Sequence, residues 1–244
     1  TGSFSLTSTG AINSGAGVFI NLGGAVTLAG NVVASGGGNG VDARSGADLT
    51  ASGAVTGPAF INLHAGTDGS GNLLASGVLT SADTTLRAGD GTGGAGVNAA
   101  VTATGATIRG AGGSGTSPVS FTLRQDASIS DGAIPGAGQF GAGVSGVALT
   151  YRSDDGSVTL ADGAKVADSI LTLNASGVAP NPTGVFLSGA IAPRSLTVQG
   201  ALRLTGDTTI SVQNGKITLG SVASANAGAP VALTLETNDE VVFN

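Results

Sequence analysis

One string of residues occurs twice in this chain of 244 residues, and its internal spacing is preserved. VFINLGGAVTLAGNVVASG occupies residues 18–36 and AFINLHAGTDGSGNLLASG occupies residues 59–77, so the copies lie 41 residues apart. Catalytic motifs rarely need such copying, whereas a unit that stacks on its own copy does. Periods of roughly 20 to 50 residues are typical of solenoids. We therefore predict that two coils separate the copies, and that Phe19, Asn21 and Ala34 stack on their equivalents.

Short segments in which apolar residues alternate with threonine recur along the whole chain. Val, Ile, Leu and Thr at a period of two predict strands with one buried face. The turns between them are rich in Gly, Asn, Asp and Ser, which favour tight turns, and only DGAKVADS (162–169) suggests a turn of helix. Representative strand segments are SFSLTS (3–8), AVTLAG (25–30), TTLRAG (84–89), VTATGATIRG (101–110), VSFTLRQ (119–125), SVTLAD (157–162), SLTVQG (195–200) and ALTLETN (232–238).

The composition favours an ordered β structure with a thin aliphatic core. Glycine accounts for 44 residues, Trp, Met and Cys are absent, and charged residues make up 10% of the chain. Disordered chains combine low hydrophobicity with high charge, whereas 41% of this chain is hydrophobic. We predict one all-β domain over residues 1–244, a parallel β-helix (β-solenoid) with about 12 coils of roughly 20 residues each. Looser loops are expected to protrude around residues 111–156.

The charge distribution argues against nucleic acid as a partner. The net charge is −6 and the isoelectric point is near 4.4, whereas a nucleic-acid binder needs a basic patch to displace counterions. The nine Lys and Arg residues are scattered along the sequence without a cluster. No stretch of about 18 apolar residues predicts a transmembrane helix. The chain begins at Thr1 without an initiator Met or a signal peptide, so we expect it to be a segment of a longer protein.

The carboxyl-terminal part carries the most specific pattern. LTVQGALRLTGDTTISVQNGKITLGSVASANAGAPVALTLETN occupies residues 196–238 and combines leucine–threonine strands at 196–198 and 233–235 with a glycine-bounded G-x-I-x-L-G strand at 215–220. A turn of small residues follows that strand, and the two GN-aliphatic-aliphatic-ASG heptads described above share this cadence. The pattern resembles the repeat region of filamentous-haemagglutinin-type exoproteins, the large secreted β-helical adhesins of two-partner secretion.

This resemblance is clearest over residues 1–110 and 157–244 and has specific implications. It implies a right-handed parallel β-helix that is secreted and exposed at the bacterial cell surface. It also implies a role in adhesion, in the biofilm matrix or in an extracellular filament. The amino-terminal secretion domain of such exoproteins is not evident here, so the resemblance places this chain in the shaft that an outer-membrane transporter exports.

Three motifs have the form of a ligand site but are better explained as turns. GGNGVDARS (37–45) begins like a calcium-binding nonapeptide, but Arg44 takes the place of a large apolar residue and no tandem copy follows. GAGQFG (136–141) has the form G-x-G-x-x-G, yet strand-like sequence follows it where a dinucleotide site needs a helix. Asp154, Asp155 and Gly156 offer hard oxygen ligands, but we expect a solvated turn. The sequence thus predicts no metal and no cofactor.

The titratable residues do not form a recognisable catalytic set. His64 is the only histidine, and because it replaces Gly23 of the first copy we expect it at a variable, outward position. Glu236, Asp239 and Glu240 are expected to form an acidic, soluble rim. Asp162 and Asp168 would join a ligand set with Asp154 only if their coils align. We therefore predict no catalytic residues.

Two functions of different class remain. The first is a non-enzymatic structural or adhesive β-solenoid whose partners are a host or neighbouring cell surface, or an extracellular polysaccharide. It would also assemble end to end if its terminal strands pair with another copy. The alternative is a carbohydrate-active or carbohydrate-binding β-helix, such as a polysaccharide lyase, with its site in the 111–156 region. Dispersed Arg and Lys, few carboxylates and a single tyrosine, Tyr151, favour the first function.

Overall fold

A computed structural model describes residues 3–91, 99–103, 106–109, 120–127, 129–130, 147–154, 156–162, 164, 166–167, 169–175 and 184–244. The amino-terminal half consists of five coils, and each coil contributes one strand to each of three parallel sheets. In chain order these strands are β1 (Leu6–Ser8), β2 (Ile12–Ser14), β3 (Val18–Leu22), β4 (Val26–Leu28), β5 (Val32–Ala34), β6 (Val41–Ser45), β7 (Leu49–Ala51), β8 (Val55–Thr56), β9 (Phe60–Ala65), β10 (Leu73–Ala75), β11 (Val78–Thr80), β12 (Asp83–Ala88), β13 (Val101–Thr102), β14 (Thr107–Arg109) and β15 (Ser120–Gln125).

The carboxyl-terminal half continues one of these sheets and starts a new one. Its strands are β16 (Ala148–Ser153), β17 (Val158–Leu160), β18 (Ile170–Ala175), β19 (Val185–Ile191), β20 (Ser195–Gln199), β21 (Leu202–Val212), β22 (Ile217–Leu219), β23 (Val222–Ser224), β24 (Leu233–Thr237) and β25 (Val241–Phe243). The continuous sheet has ten strands, in the order β25-β22-β20-β18-β16-β15-β12-β9-β6-β3. Strand β21 pairs with β23 near its start and with β24 near its end. The prediction of an all-β parallel solenoid is confirmed; the right-handed sense of winding stays a prediction.

Aliphatic side chains fill the lumen in register. On the ten-stranded sheet, one inward column stacks six residues from successive coils that are at most 3% exposed, namely Leu63, Leu86, Leu123, Tyr151, Leu173 and Val198. Each buried leucine stabilises the fold by about 1.5–3 kcal/mol. The rings of Phe121 and Tyr151 pack edge to face with centroids 6.5 Å apart. The only tyrosine is therefore core material and no platform for a sugar.

Asn and Asp side chains at the corners tie each coil to the next. Oδ1 of Asp48 accepts a hydrogen bond from the backbone N–H of Asn72 (2.8 Å), and Oδ1 of Asn72 accepts one from Ala100 N–H (3.2 Å). Such a side chain sits just before a strand and satisfies the backbone donor at the matching place one coil further on. The same bond joins Asn31 to Ala54, Asp162 to Ala190 and Asp207 to Ala232.

Glycine is required at one corner of the amino-terminal coils. Gly10, Gly30, Gly53 and Gly77 follow the strands of one five-stranded sheet and stack upon each other. A Cβ atom on Gly30, Gly53 or Gly77 would lie far inside the van der Waals radius of the carbonyl oxygen of the glycine one coil earlier. The close approach of two backbones therefore excludes any side chain at these positions.

The coils are longer and fewer than predicted. Successive turns are about 23 residues apart, and the longest sheet holds ten strands rather than the 12 expected. The difference arises because each of the first coils contains three strands and three corners. Strands of three to six residues at a rise of about 3.3 Å each, plus the corners, need more than 20 residues.

The sequence repeat does not match the structural repeat, so the predicted stacking of Phe19, Asn21 and Ala34 on their copies is wrong. Val18 pairs with Val41 and Val41 with Ile61, so two coils span 61 − 18 = 43 residues rather than 41. Phe19 therefore stacks on Asn62, through Asp42, and Asn21 stacks on His64, through Arg44. Ala34 and Ala75 belong to strands of different sheets, β5 and β10.

Two further regions complete the comparison. The described residues between 162 and 169 form turns and no helix. Within the predicted loop region 111–156, residues 120–125 and 148–153 are strands of the ten-stranded sheet, and most of the rest lies outside the described residues. Over the described ranges, no helix is long and apolar enough to cross a membrane.

Candidate binding face

The outer surface of the ten-stranded sheet, here called the ladder face, carries two aligned columns of polar side chains. The first, the threonine ladder, has one threonine on each of six consecutive strands. The second, the donor column, lies two residues further along the same strands, and every member carries a side-chain N–H. The threonine ladder is Thr85, Thr122, Thr150, Thr172, Thr197 and Thr218. The donor column is Asn21, Arg44, His64, Arg87, Arg124, Arg152, Asn174 and Gln199.

Winding of the chain brings four of its nine cationic residues into this one column. Arg44, Arg87, Arg124 and Arg152 occupy four of five consecutive strands, with His64 between the first two. At one strand spacing per coil, these five residues cover about 19 Å. The prediction that Lys and Arg are dispersed holds for the sequence and is wrong for the structure.

One carboxylate orients two of the arginines. Oδ2 of Asp154 accepts a hydrogen bond from Nε of Arg124 at 2.6 Å, and Oδ1 accepts one from Nε of Arg152 at 2.5 Å. The Asp154 side chain is only 5% exposed, whereas those of Arg124 and Arg152 are 28% and 41% exposed. Because the bonds use Nε, the terminal amino groups of both guanidinium groups are held at the surface. The solvated turn expected at Asp154 is therefore wrong.

Arg87 differs from its neighbours because no carboxylate in the described part of the chain forms a salt bridge with it. Its Nε is buried and makes no hydrogen bond to any described residue. Partial burial, and then the charge of Arg124, lower the pKa of Arg87 below its ordinary value. Its Nη2 and that of Arg124 both approach Gly91, where an added Cβ would lie 3.0 and 3.1 Å from them. Two guanidinium groups thus converge beside a residue without a side chain.

His64 is covered by the turn that follows β12. Nε2 lies 2.7 Å from the carbonyl oxygen of Gly89, and because a carbonyl only accepts, Nε2 carries the proton. The residue is 9% exposed, so the expectation of a variable, outward position is wrong: the side chain is on the outer face but buried. Burial lowers the pKa of His64, and the charges of Arg87, Arg44 and Arg124 lower it further against the opposing hydrogen bond.

Asp126 lies under the same turn. Oδ2 accepts a hydrogen bond from the backbone N–H of Gly91 at 3.1 Å, and Oδ1 is buried without a partner among the described residues. The residue is 1% exposed, and burial raises the pKa of its carboxyl group. Gly89, at φ 85°, leaves room for this side chain, because a Cβ there would collide with it. Asp126 was not singled out from the sequence, which gives no sign that it is buried.

The other residues considered in the sequence have structural positions. Asp42 and Arg44 of the calcium-like motif lie on strand β6 and form a two-pronged ion pair at 2.9–3.1 Å. Glu236, Asp239 and Glu240 are exposed, as expected of an acidic rim. Asp155, Asp168 and the segment 136–141 lie outside the described residues. Among the residues that the structure describes, no group of three or more His, Cys, Asp or Glu residues is arranged to hold a metal ion.

The ladder face does have a signature in the sequence. Thr-x-Arg occurs at 85–87, 122–124 and 150–152, and Thr-x-Asn or Thr-x-Gln at 172–174 and 197–199. The signature is hard to recognise because successive members of the donor column are separated by 37, 28, 22 and 25 residues from Arg87 to Gln199. A search at a fixed period misses such a column, whereas alignment of the strands on their alternating pattern finds it.

Comparison of the chain with models of protein families, with curated proteins and with solved structures gave no match. The β-solenoid is thus established by the strand order and the residue pairing of the structure itself. What the ladder face binds has to be argued from the side chains that it presents.

Proposed function

We propose that the protein is a non-enzymatic β-solenoid segment of a secreted, surface-exposed bacterial exoprotein, and that the ladder face is its adhesive surface. The alignment of the threonine ladder with the donor column carries this proposal. Strand pairing holds each side chain one strand spacing from the next, about 4.8 Å. A repeating surface of this kind suits an extended partner, such as a cell-surface polymer, better than a small molecule.

The lumen and the corners support a role as a rigid support. The inward columns are filled with aliphatic side chains, and Asn and Asp side chains bridge neighbouring coils. Such a structure keeps the spacing of its outer side chains fixed, so little conformational entropy is lost when they bind. The resemblance of the repeats to filamentous-haemagglutinin-type exoproteins favours the same role and, with it, export through an outer-membrane transporter.

Attachment of the labelled protein to bacterial cells, host cells and immobilised polysaccharides tests the proposal. Thr172→Gln/Thr197→Gln puts longer, uncharged side chains on the ladder face and should weaken attachment. Thr159→Gln/Thr209→Gln makes the same change on the outer side of another sheet, formed by β17, β19, β21 and β23, and should leave attachment unchanged. Equal attachment of both double variants, or no attachment of the parent protein to any surface, would overturn the proposal.

End-to-end assembly is a further way in which the chain would act as a filament component. Strands β3 and β25 are the outermost strands of the ten-stranded sheet. Phe19 on β3 is 73% exposed and Phe243 on β25 is 62% exposed. Either adjoining coils of a longer protein or other copies would cover them. Electron micrographs decide between these: filaments that lengthen with protein concentration indicate assembly, and isolated short rods argue against it.

A carbohydrate-active β-helix is the second candidate, and one observation favours it. His64, Arg87 and Asp126, all with shifted pKa values, lie near one turn, Gly89–Gly91. Buried groups of this kind are frequent at active sites. An acidic polysaccharide incubated with the protein would become shorter, or would gain the ultraviolet absorbance of an unsaturated uronide. Loss of that activity in Asp154→Asn would establish the enzyme; an unchanged polymer would favour the adhesive role.

A further inference from the structure

The guanidinium groups of the donor column are more numerous than the carboxylates that contact them. Asp42 pairs with Arg44, and Asp154 is shared between Arg124 and Arg152. Across the described ranges, Arg87 has no carboxylate within salt-bridge distance. Asp126 lies nearby, but burial raises its pKa and thus favours its neutral form. The stretch from Arg87 to Arg152 therefore has three guanidinium groups and one directly bound carboxylate.

Two features show that these arginines are arranged to receive an anion. The hydrogen bonds to Asp154 use Nε, so the terminal amino groups of Arg124 and Arg152 remain at the surface. The Nη2 atoms of Arg87 and Arg124 converge on Gly91, and the buried Nε of Arg87 has no partner among the described residues. Two positive charges held side by side repel each other, and a carboxylate between them would relieve the repulsion and satisfy the donors.

The surroundings of the arginines indicate what kind of anion fits. Thr85, Thr122 and Thr150 flank the three arginines at two residues' distance, and the donor column continues as Asn174 and Gln199. Hydroxyl and amide groups next to guanidinium groups match a polymer that carries many hydroxyls and spaced carboxylates. A nucleic acid carries denser charge and would be repelled by the remainder of the molecule, whose net charge is −6.

We propose that Arg87, Arg124 and Arg152 bind the carboxylates of a linear acidic polysaccharide that lies across the strands of the ladder face, with the threonine ladder against its hydroxyl groups. This proposal rests on the proposed adhesive function and names the partner of the same face. Asp154 is a positioning residue, because it holds two guanidinium groups by Nε. Each arginine is one strand spacing from the next, so the polymer runs parallel to the solenoid axis.

Binding of the full chain to polygalacturonate and alginate oligomers tests this proposal, with dextran as the neutral polymer and single-stranded DNA as the other polyanion. The parent protein should bind the two uronates, bind them more weakly at high salt, and bind dextran and DNA much more weakly. Arg87→Gln breaks no ion pair and should lower the affinity about tenfold or more, since a lost charge-assisted hydrogen bond has that effect. Arg87→Gln/Arg152→Gln should lower it further.

The matched control is Arg109→Gln/Arg194→Gln, which removes two exposed cationic residues outside the donor column. It should bind uronates like the parent. Equal loss in the control and in Arg87→Gln/Arg152→Gln, equal binding of dextran, or equal binding of DNA would each overturn the acidic-polysaccharide assignment. Attachment to cells without binding to uronates would also overturn it and leave the adhesive function standing. Binding of uronates with cleavage would support it and overturn the non-enzymatic function instead.

Discussion

Oδ2 of Asp154 lies 2.6 Å from Nε of Arg124, a residue on the preceding strand of the ten-stranded sheet, and its other oxygen holds Arg152. The carboxylate is almost completely buried, while both guanidinium groups reach the surface. A buried anion that holds two exposed cations fixes their direction and reduces their mutual repulsion. The pairing thus joins the stability of the fold to the shape of the binding face.

Asp154→Asn should destabilise the protein because two neighbouring guanidinium groups lose their shared counter-charge. We expect the free energy of unfolding to fall by about 1–3 kcal/mol, less than for a fully buried pair because both arginines contact solvent. Asp42→Asn, beside the more exposed Arg44, should cost less than about 1 kcal/mol. Thermal and urea denaturation of both variants measures the difference. Equal effects would show that Asp154 has no special role in holding the face.

Gly53→Ala tests the close approach of backbones at the glycine corner. The new methyl group would meet the carbonyl oxygen of Gly30, and no side-chain rotation relieves a clash between Cβ and backbone. We expect a loss of about 1–3 kcal/mol. Gly10→Ala at the same corner of the first coil is the matched control, because nothing lies within 4 Å of its added Cβ. A melting temperature of Gly53→Ala equal to that of Gly10→Ala would show that the coils do not approach this closely.

The alternation of Thr with aliphatic residues was sufficient to predict the strands and their parallel winding, because a buried lumen imposes a period of two wherever a strand lies. The coil length was less well predicted. Corner residues contribute to each coil but leave no periodic signal. The 41-residue copy misled because the strands beginning at Val32 and Leu73, on different sheets, have the same local needs. Each follows an Asn that bonds to the next coil and ends near a glycine packed on a carbonyl.

The candidate site was largely missed for a different reason. Arg87 and Arg124 are neighbours in the sheet but 37 residues apart in the chain, and that interval is unlike the next one, 28 residues to Arg152. Unequal coil lengths shift side chains along the sequence without moving them in the structure. Burial was equally hidden, since the turn from Gly89 to Gly91 covers His64 only in three dimensions.

Asp48→Ala tests the bonds between coils at the corners. The substitution removes the Oδ1 atom that accepts the N–H of Asn72 at 2.8 Å. We expect a loss of about 0.5–1.5 kcal/mol, since the donor is exposed and water partly replaces the acceptor. Asp48→Asn keeps an oxygen acceptor and should restore most of the stability. Hydrogen exchange of the Asn72 amide is the sharper measurement: it should quicken in the alanine variant and stay slow in the asparagine variant, and the reverse order would refute the bond.

Asp126→Asn should make the protein more stable at neutral pH. Burial raises the folded-state pKa of this carboxyl group above its unfolded value of about 3.9. Its contribution to stability is therefore fully present below pH 3.9 or so and is lost as the pH rises through the folded-state value. The amide keeps an acceptor for the N–H of Gly91 and carries no charge. The melting temperature of the variant should exceed that of the parent at pH 7, and the gap should close in acid; a constant gap would contradict the buried-acid account.

His64→Gln should remove a loss of stability on the acid side of neutrality. The folded-state pKa of His64 is lowered, chiefly by burial, below the unfolded value of about 6.5. The unfolded chain therefore binds the proton more readily, so stability is present above pH 6.5 or so and falls as the pH drops toward the folded-state value. Glutamine keeps an N–H donor for the carbonyl of Gly89 and does not titrate. Melting temperatures from pH 8 to pH 5 should fall more steeply for the parent than for the variant. Parallel curves would mean that the proton enters without cost, which neighbouring Arg44 and Arg87 in the donor column make unfavourable.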